Sequence, residues 1–197
     1  MTKLILIPAG QTDWRPQGRL AGDTHLDLNE FGHRQAVLMS QEIRGLSPRL
    51  VRCGPEQATK QTASLVAHEA GVRLRTVKDL REMNLGVWQG LMLDDIKERF
   101  GKVYRQWRAE PLAIEPPEGE TVIVALTRLI EALEKIRRKH VDETVAIVVG
   151  QFASAILRSQ LIDHSFDKFW EYVDNDQPFQ VIDLPDAPLS AATSLSV

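Results

Sequence analysis

The chain opens with Lys3-Leu4-Ile5-Leu6-Ile7 and passes at once into Pro8-Ala9-Gly10-Gln11-Thr12-Asp13-Trp14. A continuous apolar run that includes the β-branched Ile5 and Ile7 predicts a short strand buried on both faces. Pro8 and Gly10 end it in a turn. In open α/β sheets, ligands bind at the carboxyl end of such a strand. The turn therefore marks the candidate site, and its composition is unusual for one. Pro8 and Ala9 offer neither a nucleophile nor a base.

Working outward, Gln17 to Asp23 reads as a glycine-bearing loop, and Asn29-Glu30 precede a helix running to about Ile43. Ala36, Met39 and Ile43 form its apolar face. Arg49 to Cys53 predicts a second strand, ended by Gly54-Pro55. Glu56 to Ala70 predicts a second helix with Gly71 as its C-terminal cap. Val72 to Val77 alternates like a strand at the sheet edge. Leu80 to Gly90 is irregular. Asp94 to Arg108 predicts one helix, with Ile96, Phe100, Val103 and Trp107 as its stripe and Gly101 as its weak point. After the loop Glu115 to Glu120, a long helix spans Thr121 to His140, its basic end matched to the helix dipole. Val145 to Val149 is the most apolar strand and is expected at the sheet centre. A helix from Phe152 to Ile162 and a strand from Phe179 to Leu184 complete the pattern. Strands alternating with helices predict a three-layer α/β/α sandwich with a mostly parallel sheet. The strands ending at Ile7 and Val149 are expected side by side, so that their turns share one rim.

Composition narrows the function classes. The chain has 197 residues, 43% of them hydrophobic and 26% charged, with a formal net charge of −3. That suits one domain, here residues 1–184 with a tail from 185 to 197, and gives no pull toward nucleic acid. No apolar run reaches the roughly 18–20 residues of a membrane span. Cys53 is the one cysteine, which fits a cytoplasmic protein, and no cysteine–histidine cluster has metal-ligand spacing. No cofactor or metal is expected.

The order of segments resembles the histidine phosphatase superfamily, the phosphoglycerate mutase-like fold, from Lys3 to about Leu184. Leu4 to Trp14 resembles its opening strand and Arg-His-Gly-Glu-Thr motif. Gly18-Arg19-Leu20 and Gly22 are similar to the loop that follows, and Leu28-Asn29, Gly32 and Gln35-Ala36 to the start of its first helix. Cys53-Gly54-Pro55 through Gln61-Thr62-Ala63 resembles Ser-Ser-Pro … Arg-Ala … Gln-Thr-Ala. Leu80, Glu82, Gly86, Trp88 and Gly90 match Glu … Gly-x-Trp-x-Gly. Pro116 to Glu120 resembles Pro-Pro-Gly-Gly-Glu, and Val148 to Ala153 resembles Val-Val-Ser-His-Gly-Gly.

The resemblance implies a histidine nucleophile, two arginines and a second histidine around a phosphate, and a carboxylate that protonates the leaving oxygen. Such chemistry needs a nucleophilic imidazole and cations on the equatorial oxygens. Position by position, the first arginine falls on Pro8, the nucleophile on Ala9, the asparagine that often follows on Arg15, the second arginine on Ala58 and the second histidine on Gln151. Only Glu82 keeps a competent group. The expectation is a superfamily member without catalytic residues, serving a binding or regulatory role. The alternative is a phosphomonoester hydrolase using His25, Arg15 and Glu82. A third reading is a structural subunit supporting an active homologue.

Arg15 and Arg19, with Gln11, Glu82 and Gln151, are the candidate ligand-binding set, for a small anionic ligand; a protein partner or a homodimer is the other option. For Arg15 and Arg19 the competing role is bracing a loop, and for Glu82 it is accepting backbone donors. Gln11 and Gln151 are expected to bond each other. Cys53, just before a helix start, is read either as an activated thiol or as a small buried residue. Trp88, Trp107 and Trp170 are expected in packing.

Overall fold

The computed structural model describes residues 1–113 and 115–190. Residues 191–197, most of the expected tail, lie outside the described residues. Strand β1 (Lys3–Pro8) is followed by α1 (Glu30–Arg44), β2 (Leu50–Cys53), α2 (Gln57–Ala70) and β3 (Leu74–Thr76). Next come α3 (Leu93–Arg99), α4 (Gly101–Ala109), α5 (Val122–Lys139), β4 (Thr144–Val149), α6 (Gln151–Arg158), α7 (Phe169–Asp174) and β5 (Gln180–Asp183). The strands lie in the order β3-β2-β4-β1-β5. All neighbours are parallel except β5, which runs antiparallel to β1.

The period of two in the central strands splits the core in two. Leu4, Leu6, Leu50, Ile147 and Val149 pack with Leu126, Leu129 and Leu133 of α5 and with α6. Ile5, Ile7, Val51, Cys53 and Val148 pack on the other face with Ile43 of α1 and Ala63 and Val66 of α2. Each face of β1 and β4 is thus covered, which is why these strands are apolar throughout.

The helix ends follow their sequence signals. Asn29 caps α1 by accepting from Gly32 N, and Thr121 caps α5 by accepting from Val124 N. Gly71 closes α2 at φ 66°, in the left-handed region where a glycine carries no Cβ penalty. β4 is central and β3 is an edge, both as expected.

The structure departs from the sequence pattern in a few places. The expected single helix over 94–108 is two, broken at Phe100 (φ −125°, ψ 30°). Gly101 weakens helix continuity there, and the Phe100 ring packs on Trp88 with centroids 6.1 Å apart. The helix after β4 starts one residue early, at Gln151, and its last turn widens over Ser159–Asp163. Helix α7 has no counterpart in the sequence pattern. Phe169 and Trp170 seat it against Phe152 and Trp107, and Trp107 itself is fully buried. The described part of the tail is tied to α5: Leu189 N donates to Glu134 and Arg137 donates to Asp186 O. Among the described residues, no helix is long and apolar enough to cross a membrane.

Candidate functional site

The ends of β1 and β4 are adjacent, with Ile7 opposite Val148 and Pro8 opposite Val149. Ala9 N donates to Val149 O at 2.8 Å, which extends the ladder past the proline that cannot donate. The turn is then held by its neighbours. Gly10 N donates to Thr62 Oγ1 of α2 at 3.0 Å. A Cβ on Gly10 would stand 2.6 Å from Gly32 O, and one on Gly32 only 2.1 Å from Gln11 O. These glycines let the turn lie directly on the start of α1.

A cleft of about 790 Å³ opens over these strand ends. Pro8, Ala9, Gln11, Ala58, Glu82 and Gln151 all line it, so the positions singled out from sequence converge. Arg15 and Arg19 stand on its wall, and the far side is the segment from Tyr172 to Phe179.

Both arginines are bonded to the protein. Arg15 donates to Asp176 Oδ1 at 3.0 Å, to Val173 O at 3.1 Å and to Asp174 O at 3.4 Å. It is therefore a strap across the far wall. Arg19 donates to Gly90 O at 2.7 Å and Gln17 Oε1 at 3.0 Å. The two glutamines do not meet. Gln151 Nε2 donates to Val173 O, and Gln11 Oε1 accepts from Asn29 Nδ2 at 3.0 Å, so each amide is engaged with a different partner.

Glu82 lies at the cleft floor, 4% exposed. Its Oε1 accepts from Met83 N at 2.6 Å and Ala153 N at 2.7 Å, and its Oε2 from Phe152 N at 2.7 Å. The carboxyl group thus takes up free amides in the first turn of α6, where the helix dipole favours a negative group. Gly150 makes room for it: a Cβ there would stand 2.3 Å from Glu82 Oε2. Burial pushes the Glu82 pKa up to about 8, with Glu56 adding to the rise against the pull of the three amides. The group is protonated at neutral pH.

Glu56, which carries no mark in the sequence pattern, is the second floor carboxyl. Its Oε1 accepts from Glu82 N at 2.9 Å, its Oε2 is buried without a partner, and burial raises its pKa. Arg128 of α5 holds this floor from behind. It donates to the carbonyls of Asp79, Arg81 and Glu82 and forms a two-point pair with Glu120. Glu120 in turn accepts from Asn84 N. No sequence signal marks Arg128, since its partners come from an irregular loop.

The histidines stand elsewhere. His25, the candidate substitute nucleophile, is exposed and not on the cleft wall. His33, His68 and His164 are also exposed, and His140 pairs with Glu143. Cys53 is buried in β2, and burial raises its thiol pKa, opposite to activation. The described residues contain no cluster suited to a metal ion.

A family model described as the histidine phosphatase superfamily (branch 1) matches residues 4–182. Phosphoserine phosphatase 1 of Hydrogenobacter thermophilus is 28% identical over 182 residues, covering 92% of this chain and 86% of that protein. The metal-independent phosphoserine phosphatase of Arabidopsis thaliana is 30% identical over 151 residues, 75% of this chain and 63% of its own length. Among solved structures, YhfR of Bacillus stearothermophilus superposes with a TM-score of 0.84 at 23% identity, covering 94% of this chain and 93% of the other.

Proposed function

The chain belongs to the histidine phosphatase superfamily, and from that premise we propose that it is a member whose cleft binds a ligand without transferring a phosphoryl group. One observation carries this reading. Among the described residues, the cleft wall has no imidazole, and its two guanidinium groups are bonded to the protein itself. Phosphoryl transfer through a covalent intermediate needs a nucleophile, and its transition state needs cations free to meet the equatorial oxygens. Ala9 and Ala58 present methyl groups, and Pro8 and Gln151 carry no charge.

The wall also carries Glu42, Glu56, Asp174 and Asp176 against Arg15 and Arg19, so its balance is acidic. A phosphomonoester dianion is a poor occupant. An uncharged or amine-bearing small molecule suits the site better, its polar end toward Glu56 and Glu82 and its apolar part against Leu26, Met39 and Phe179. Residence in the cytoplasm, with Cys53 reduced, belongs to the same reading.

A second reading has its own support. Glu82 holds a proton at neutral pH, as a general acid must before it protonates a leaving oxygen. The relatives from Hydrogenobacter thermophilus and Arabidopsis thaliana carry the name phosphoserine phosphatase. On this reading the chain is a phosphomonoester hydrolase whose nucleophile is not histidine at residue 9. An assay of the purified chain with p-nitrophenyl phosphate and phosphoserine separates the two. The non-catalytic reading expects no turnover above the uncatalysed rate. Turnover that disappears in Glu82→Gln would overturn it and establish the hydrolase.

A further inference from the structure

A second groove, of about 920 Å³, lies between the α5 side of the β2–β3 edge and the C-terminal half of α5. Leu50 of β2 packs with α5, so Arg52, two residues on, points to the same side. Arg52 and Arg75 are register partners in adjacent parallel strands, and Arg73 precedes Arg75 by two residues. Three guanidinium side chains thus leave one face from backbone positions about 4.8 Å apart across strands and about 7 Å apart along one. From α5, Lys135 and Lys139 line the opposite wall.

Few anions answer them. Glu143 is taken by Arg49 at 3.4 Å and by His140 at 2.7 Å, and Asp79 lies 3.8 Å from Lys135. Among the described residues, Arg52, Arg73, Arg75 and Lys139 have no carboxylate within ion-pair distance. Lys139 is accounted for by the negative end of the α5 dipole. The arginines are not. Like charges placed opposite each other in a sheet are destabilising, and burial together with Arg75 lowers the Arg52 pKa. Arg52 has one bond, to Val51 O at 3.2 Å. An arrangement that costs stability when empty and is relieved by anions is the signature of an anion site.

We infer that this groove binds a small molecule bearing adjacent phosphate groups, the phosphates held among Arg52, Arg73 and Arg75 and the remainder lying toward Lys135 and Lys139. Guanidinium forks suit phosphate oxygens in two-point contacts. The occupant is small because Asp79 and Glu143 interrupt the basic lining, and because the chain carries a net charge of −3. A nucleic acid backbone would need a basic stripe that continues.

The test is calorimetric titration of the full chain with sodium tripolyphosphate at low ionic strength. Arg73→Ala and Arg75→Ala, both at exposed positions, are the probes, and Arg34→Ala on α1 is the charge-matched control. The expected result is saturable binding that weakens with added salt and falls at least fivefold in each groove variant but not in the control. Arg75→Thr is also expected to raise the melting temperature of the free chain by about 1–3 °C while weakening binding. No binding, or equal binding in the groove variants and the control, would overturn the site. A twenty-residue oligothymidylate that binds more tightly than tripolyphosphate and is lost in the same variants would overturn the small-molecule occupant.

Discussion

The two grooves of this molecule treat charge in opposite ways. In the cleft over the β1 and β4 ends, both arginines and the Glu82 carboxyl are answered, and one oxygen of Glu56 is the exception. Arg15 meets Asp176 and two carbonyls, and Arg19 meets Gly90 O. Glu82 meets three amides and keeps a proton, while Arg128 ties the floor from behind. In the groove beside β3, Arg52 and Arg75 stand in register with each other and, among the described residues, have no carboxylate within ion-pair distance. Where polar groups satisfy one another within the fold, they stabilise it and leave little for a charged ligand. Where they do not, the fold is weakened and a ligand can restore the balance. The position of a pocket in the fold is therefore a poorer guide to its occupant than the fate of its charges.

That contrast predicts substitutions of opposite sign. The largest effect of a single substitution at fixed pH is expected at Arg128. Arg128→Met leaves Glu120, 8% exposed, with the longer Arg81 contact as its ion pair and the Asn84 amide as its other donor, and frees three carbonyls. Denaturant unfolding should show a loss of about 3 kcal/mol or more. A loss below about 1 kcal/mol would mean that the floor is not held this way.

Next comes the pH dependence set by Glu82. Its pKa is near 8 in the folded chain against an ordinary value of 4.5. Between those values the folded chain holds a proton that the unfolded chain has released, so stability falls as pH rises from about 4.5 to 8. Each pH step of one across that window removes about 1.4 kcal/mol, and the whole loss amounts to several kcal/mol. Glu82→Gln should flatten most of that slope in melting curves taken from pH 5 to 8.5. Glu56, whose pKa is also raised, leaves a remainder of the same sign.

A smaller loss, about 1 kcal/mol, is expected for Arg15→Ala, whose partner Asp176 is half exposed. Its mark should be local, as faster amide exchange over residues 173–178. Smallest, and opposite in sign, is Arg75→Thr, a gain of about 0.2–1 kcal/mol. If both arginine substitutions destabilised equally, the distinction between satisfied and unsatisfied charge would fail.

The sequence carried most of the fold because its signals were local. Asn29, Thr121 and Gly71 mark helix ends by side-chain or backbone chemistry that does not depend on the rest of the molecule. The unbroken apolar run from Leu4 to Ile7 marks β1 as covered on both faces without knowledge of its partners. Convergence of Pro8, Ala9, Ala58, Glu82 and Gln151 on one cleft followed from the resemblance, which supplies the long-range order that periodicity lacks. What stayed hidden was pairing. Arg52 and Arg75 are twenty-three positions apart, and only the β2–β3 register brings them together. Arg128 reads as an ordinary polar residue of an amphipathic helix until the Asp79–Glu82 carbonyls are placed around it. Helix α7 is one turn and a half held by aromatic packing, too short for a period to show.

The Glu82 carboxyl also works as a clasp between two segments of the chain. It ties the irregular loop before α3 to the opening amides of α6, and those bonds hold whether or not a reaction uses the group. Its presence in the cleft is therefore explained by architecture alone, and it does not by itself distinguish a chain that performs chemistry from one that does not.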